Sequence, residues 1–250
     1  GAMAESIRFD RIADRYDETR GGLQRGLDLA GPVLAHLRPG PVLEVGVGTG
    51  VVAAPLAAAG HPVVGVDLSL PMLARARERL GPCVALADGY HLPVASASVP
   101  NALVAWVLQL VPDIPAFLAE AARAVAPGGR VAVIPSLGRW DPDGITEIVF
   151  SATDVLRPRR DTPGHVVEDA RRAGLRHVIT VPTVAHREDG SPADTARRIE
   201  EREWSIFWDL PDDTWAEVVE PAIAALRALP EPDRVRERRS RHDVVILERP

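Results

Sequence analysis

Lysine is absent from this sequence, so all 29 basic residues among its 250 are arginine. With Ala, Pro, Val and Gly abundant, the plain source of that bias is the codon usage of a GC-rich bacterial genome. Its chemical consequence is independent of the source. No lysine can form a Schiff base, ligate a phosphate or act as a general base. The lysine-dependent P-loop and the Tyr-x-x-x-Lys dehydrogenase chemistry are thereby excluded. Cysteine is nearly absent too. Cys83 stands alone, which rules out an internal disulfide and a cysteine-rich zinc site. No cluster of histidines and carboxylates has metal-ligand spacing. An excess of positive charge is missing: the net charge of −6 and pI near 5.7 argue against a general nucleic-acid binder. Long apolar runs are missing as well, since the stretch from Ala102 to Val111 is broken by Gln109 and is too short for a bilayer. The charged start, Glu5 to Asp10, shows no signal peptide, and a cytoplasmic protein is the expectation. Gly1 and Ala2 read as a remnant of tag cleavage before Met3.

What is present is an ordinary globular composition, 46% hydrophobic and 26% charged, arranged as alternating strands and helices. Residues 5–19 read as a helix with Ile7, Ile12, Ala13 and Tyr16 on one side, and Leu23 to Leu37 as a second. Short apolar strands then follow at 41–45, 61–66, 83–87, 102–107 and 130–134, separated by helices. Ser69 is a plausible N-cap with Pro71 in the first turn, and a helix is expected over 114–125. Continuous apolar strands alternating with helices predict a parallel sheet covered on both faces. After Pro135 a Gly-, Pro- and Asp-rich loop is expected to run past Trp140. A helix at 163–173 capped by Thr162, a strand at 177–184 and a last strand at 243–247 complete the sheet. Residues 190–240 read as a helical cap insertion. The run from Arg234 to Arg241, interleaved with acids, reads as a solvated surface.

The most informative segment is Val42-Leu-Glu44-Val-Gly46-Val-Gly48-Thr-Gly50. Glycines at the carboxyl end of the first strand let backbone N–H groups approach a ligand beside a helix N-terminus. A nicotinamide-binding fingerprint wants its third glycine where Val51 stands. Asp67, ending the second strand, is a carboxylate able to accept from both ribose hydroxyls. Those two features alone leave a dehydrogenase open. Further along, Leu86-Ala-Asp88-Gly89 precedes Leu92-Pro93, Trp106 to Asp113 follows the fourth strand, and Glu120 to Gly129 precedes the fifth.

With Phe9 to Asp17 at the amino end, these segments make the chain resemble the class I S-adenosylmethionine (SAM)-dependent methyltransferases over residues 9–134, in the subgroup acting on small molecules. The resemblance implies a Rossmann-like α/β sheet, mostly parallel with an antiparallel last strand, in a single domain over 3–250. Within it, 3–38 would be N-terminal helices forming a lid, 39–137 the SAM-binding core, and 138–190 with 241–250 the rest of the sheet. It implies that Asp67 binds the ribose diol, Asp88 the adenine amino group, and the backbone of Gly46, Gly48 and Gly50 the methionine end. Glu44 would lie near the ammonium, Leu68 on the adenine, and Gly89, Trp106 and Tyr16 along the cofactor. Two positions depart from the family pattern: Gln109 stands where a histidine is frequent, and Asn101 where an aspartate is usual.

No catalytic residue is identifiable from the sequence; Tyr16 and Gln109 are the candidates. Histidines such as His91, His165, His177, His186 and His242 carry no local signature. Trp204, Phe207 and Trp208 fall at i, i+3 and i+4 and would share one helical face, either as a packed core or, with Gln109, lining an acceptor pocket. The expected function is methyl transfer from SAM to a small organic acceptor through O, N or C, without a metal, nucleic-acid or membrane partner. The alternatives are a non-catalytic SAM-binding partner protein and a nucleic-acid methyltransferase, although no Asn-Pro-Pro-Tyr-like motif follows the fourth strand.

Overall fold

The computed structural model describes Asp17 and residues 22–250. The helix expected over 5–19, with Tyr16, otherwise lies outside the described residues. The described chain divides into two compact units. The first comprises residues 22–138, 160–184 and 242–250, and the second 139–159 and 185–241.

In the first unit, α1 (Gly22–Leu34) leads into β1 (Val42–Val45), α2 (Ala53–Ala58), β2 (Val63–Asp67), α3 (Leu70–Leu80), β3 (Val84–Leu86) and β4 (Val99–Ala105). After a 3₁₀ turn at Leu108–Leu110 come α4 (Ile114–Ala124) and β5 (Val125–Ile134). The seven-stranded sheet has the order β3-β2-β1-β4-β5-β10-β7, with β10 running Asp243–Glu248 and β7 Arg176–Pro182. Pairing is parallel from β3 through β5, whereas β10 is antiparallel to both β5 and β7. The order reverses beside β1, between β2 and β4. In open α/β sheets such a switch point opens a crevice at the carboxyl ends of the strands.

The strand period of two sorts the core onto both faces. Ala102, Val104, Val131 and Val133 pack with Phe117 and Leu118 of α4 on one face. Leu103, Ala105, Ala132 and Ile134 pack with Leu29 and Val33 of α1 and Leu56 of α2 on the other. Glu44 shares the parity of Val42, and so sits in the second of these apolar faces. Helix starts are chemically specified. The hydroxyl of Ser69 accepts from the Met72 N–H, Asp113 caps α4 from Oδ1 to the Ala116 N–H, and Pro71 and Pro115 sit in the first turns. Asn101 is fully buried. Its Oδ1 accepts from the Arg38 N–H at 2.7 Å while its Nδ2 donates to the Arg38 carbonyl at 2.8 Å. An amide supplies both roles and an ionised aspartate could supply only one, which gives this departure from the family pattern a structural use.

The second unit differs from the expectation in two ways. The segment after Trp140 is a helix, α5 (Gly144–Leu156), N-capped by Asp143. Its Ile145, Thr146, Ile148, Val149, Thr153 and Val155 are β-branched and weak in helix propensity, which hid it. Residues 190–240 are not wholly helical. They carry α7 (Pro192–Glu200) and α8 (Glu220–Arg227), preceded by a π-helical turn at Trp215–Val219, but also the strand β9 (Arg236–Arg241). That strand pairs with β6 (Arg139–Trp140) and β8 (His186–Gly190) in an antiparallel sheet. The helix α6 (Pro163–Arg172), capped by Thr162, belongs to the first unit.

Candidate functional site

At the carboxyl ends of β1, β2, β3 and β4 the first unit opens a cleft of about 1030 Å³ including its mouth. The backbone around it is forced by sterics. Gly46 ends β1 at φ +79°, and a Cβ there would stand 2.3 Å from Val107 Cγ2. Gly89 lets the turn after β3 approach α4, since its Cβ would fall 2.3 Å from the Phe117 ring. Asp67 braces the glycine turn: Oδ2 accepts from the Gly48 N–H at 2.8 Å and Oδ1 from the Ser69 N–H at 2.9 Å. Thr49 donates to Asp17 Oδ1 at 2.6 Å, and Arg79 pairs with the other oxygen of Asp17 and the carbonyl of Thr49.

Of the residues expected from the sequence, Glu44, Gly46, Gly48, Asp67, Leu68, Asp88, Gly89 and Trp106 line this cleft. Gly50 does not line it. Its N–H closes the turn onto the Val47 carbonyl and its open Cα lies against Ala76 of α3. Asp88 is half-exposed and accepts from the Tyr90 N–H. Trp106 holds φ +59°, a strained setting for a non-glycine residue, and its indole N–H is buried with no acceptor among the described residues. Arg25 lies 4.9 Å over the Trp106 ring and 2.8 Å from His242 Nε2.

Gln109 is placed elsewhere. Its Oε1 accepts from the Arg160 N–H at 2.9 Å, and it is not among the residues lining the cleft. Tyr16 lies outside the described residues. Trp204, Phe207 and Trp208 belong to the second unit and do not share a helical face, because only a 3₁₀ turn, Ser205–Phe207, spans them. Phe207 is buried in that unit's core with the Trp204 ring 5.9 Å away, and the Trp208 indole donates to the Arg202 carbonyl at 2.7 Å.

Several cleft residues escaped the sequence reading: Thr49, Ser69, Met72, Tyr90, Val107, Leu110 and Phe117. Tyr90 had a usable signal in its place directly after Asp88-Gly89; the apolar ones look like any core residue in a string. The Tyr90 hydroxyl donates to the Asp113 carbonyl at 3.1 Å and accepts from the Asp113 N–H at 2.9 Å. Burial pushes its phenol above the usual tyrosine value.

The electrostatics of the lining are one-sided. Its ionisable groups are Glu44, Asp67, Asp88 and the phenol of Tyr90, with no arginine or histidine among the described lining residues. Glu44 is 2% exposed and its Oε2 has no partner among the described residues. Burial, and next the neighbouring Asp67 charge, raise its carboxyl well above the usual glutamate value. No group of His, Cys, Asp and Glu among the described residues could hold a metal ion, and no described helix is long and apolar enough to cross a membrane.

Residues 43–133 match a family described as "Methyltransferase domain". The chain is 38% identical to a demethylmenaquinone methyltransferase of Corynebacterium kroppenstedtii, over 50% of this chain and 56% of that protein. It thus spans little more than half the length of that curated relative. The nocamycin O-methyltransferase of Saccharothrix syringae is 32% identical over 81% of this chain and 83% of its own length. Among solved structures, the [4+2]-cyclase SpnF superposes with a TM-score of 0.61 over 100% of this chain and 97% of its own, at 18% identity, a likeness of fold alone.

Proposed function

This chain belongs to the class I SAM-dependent methyltransferases, and from that premise we propose that it transfers a methyl group from SAM to a small organic acceptor. The observation that carries the proposal is the charge of the cleft. Three carboxyl groups and no cation among the described lining residues suit a ligand bearing a sulfonium and an ammonium, and disfavour the diphosphate of a nicotinamide dinucleotide. The open space beside Gly48 and the Glu44 oxygen that has no partner among the described residues fit the amino-acid end of such a ligand. In this reading Asp67 holds the ribose hydroxyls, Asp88 the adenine amino group and Leu68 the adenine face, while Glu44 answers the ammonium.

When bound, SAM supplies a methyl group already activated by positive sulfur. The protein's share is alignment, an effect worth up to about 7–11 kcal/mol, together with exclusion of water by Met72, Val107, Leu110 and Phe117. No lining residue among those described is poised as a base. The Tyr90 phenol is held at both ends by Asp113, and the carboxylates face a cation. An acceptor atom that carries a free lone pair or is already ionised therefore suits the described lining best. Of the O, N and C acceptors left open by the sequence, oxygen has the support of nocamycin O-methyltransferase, and a quinone-like acceptor that of the demethylmenaquinone enzyme.

Incubation with methyl-labelled SAM and a panel of phenols, quinols and amines tests the proposal. Label on at least one acceptor is the expected result. Binding of SAM with no transfer across the panel would favour the second reading, a non-catalytic SAM-binding partner protein. A nucleic-acid acceptor is disfavoured by the net charge of −6.

A further inference from the structure

We infer that Glu44 is a neutral carboxylic acid while the cleft holds no ligand, and that it gives its proton to solvent when an ammonium group enters, so that cofactor binding releases a proton. The inference rests on the SAM reading above and adds a property to it. The strand period puts Glu44 on the face of β1 that carries Val42, where the neighbouring strands and helices contribute Leu103, Ala105, Leu29 and Leu56. A charge at such a position costs several kcal/mol unless it is compensated. Compensation is lacking among the described residues, since Oε2 is buried with no donor.

The groups around it make matters worse for a charge. Asp67 on β2 is a neighbouring charge that repels a Glu44 carboxylate. Asp88 and Tyr90, on the turn after β3, add no positive charge to the lining. Gly65 and Leu103, the strand neighbours of Glu44, carry none, and the glycine turn contributes only Thr49. On α1 the guanidinium of Arg25 is engaged with the Trp106 ring and His242. Two adjacent carboxyls therefore share one negative charge until a cation arrives. The incoming positive charge reverses the balance: the O–H bond of Glu44 breaks, the electron pair stays on the carboxylate, and the proton passes to buffer. Affinity for the amino-acid-bearing nucleoside then rises with pH.

Calorimetry reads this directly. S-adenosylhomocysteine is titrated into the protein at about pH 6.5, where an α-amino group stays charged, in two buffers of different ionisation enthalpy. Release approaching one proton is expected, with Kd tightening toward tenfold per pH unit as pH rises. 5′-Methylthioadenosine, which keeps the nucleoside but lacks the ammonium, should release none. Glu44→Gln, which mimics the neutral acid in shape, should abolish both proton release and pH dependence. If that variant does not fold, the contrast between the two nucleosides on the unaltered protein decides alone. Tight binding of S-adenosylhomocysteine with identical heats in both buffers overturns the inference and leaves the cofactor reading standing. No binding of S-adenosylhomocysteine at all overturns that reading, and this inference with it.

Discussion

Strands β4 and β9 have the same extended backbone and opposite chemistry. β4 reads Val-Pro-Asn-Ala-Leu-Val-Ala and is buried over its last five residues, whereas β9 reads Arg-Glu-Arg-Arg-Ser-Arg and buries only Ser240. The first belongs to a sheet whose two faces are filled with aliphatic side chains. The second belongs to a sheet held by backbone pairing and charge. Arg238 reaches Asp143 at 2.9 Å and lies 4.5 Å over Trp140, and Arg241 reaches Asp141 at 3.2 Å. The unit around β9 draws its apolar core from helices instead, through Ile145, Ile199, Phe207, Val219 and Leu226. The described ionisable groups of the candidate cleft all lie on the first unit, where rigid parallel strands end together.

This difference can be broken most strongly at Phe207. Its truncation to alanine should cost about 3–5 kcal/mol in the second unit, measured by denaturant melting. S-adenosylhomocysteine affinity should remain unchanged, because every lining residue of the cleft belongs to the first unit. A matched loss of affinity would show that the cofactor site depends on the second unit's packing. Next in size, Asp67→Ala should weaken SAM by about 1.5–3 kcal/mol for each hydroxyl bond lost, a fall of tenfold to a hundredfold or more in calorimetry. The bracing of Gly48 and Ser69 goes with it, so Asp67→Asn, whose single carbonyl oxygen can still accept from one of the two amides, should lose less. An unaltered Kd would mean that β2 does not end at the ribose.

Acid and base should separate two glutamates within the first unit. Glu248 is held below the usual glutamate value, first by its hydrogen bond from Arg176 and then by the charges of Arg130, Arg176 and Arg38. A depressed value gives stability that is present above about pH 4.5, the unfolded value, and is lost as pH falls through the folded one. Glu44, raised by burial, works in the opposite direction: its contribution is full below its unfolded value and is lost as pH rises through the folded one. Thermal melts should therefore show Glu248→Gln flattening the acid limb, and Glu44→Gln stabilising the ligand-free protein at pH about 8. The smallest effect is expected at the exposed Arg227–Glu200 pair, 2.6 Å apart in the second unit. Arg227→Ala should cost about 0.2–1 kcal/mol, and less in high salt.

The same contrast governs what could be read from the string of residues. In the first unit, apolar strands, caps such as Ser69 and Thr162, and positive-φ glycines each leave a local mark. The sheet and eight of its cleft residues, from Glu44 to Trp106, were legible for that reason. The second unit hides its order in long-range pairing. Nothing local tells β9 from a solvated arginine run, because its partners lie some fifty residues earlier on β8 and a hundred earlier at Asp141. Trp204, Phe207 and Trp208 keep helical spacing without a helix, since spacing alone does not fix the backbone. Gln109 was read as facing an acceptor, yet its amide is taken by the backbone of Arg160, which arrives from the far side of α5 in the chain.

A cleft lined by carboxyl groups should select a cationic sulfur nucleoside over a dinucleotide. Calorimetric titration of the full chain with SAM and, separately, with NADH tests it most directly. One site of micromolar affinity for SAM and no heat from NADH is the predicted result. Micromolar NADH binding with none for SAM would contradict it.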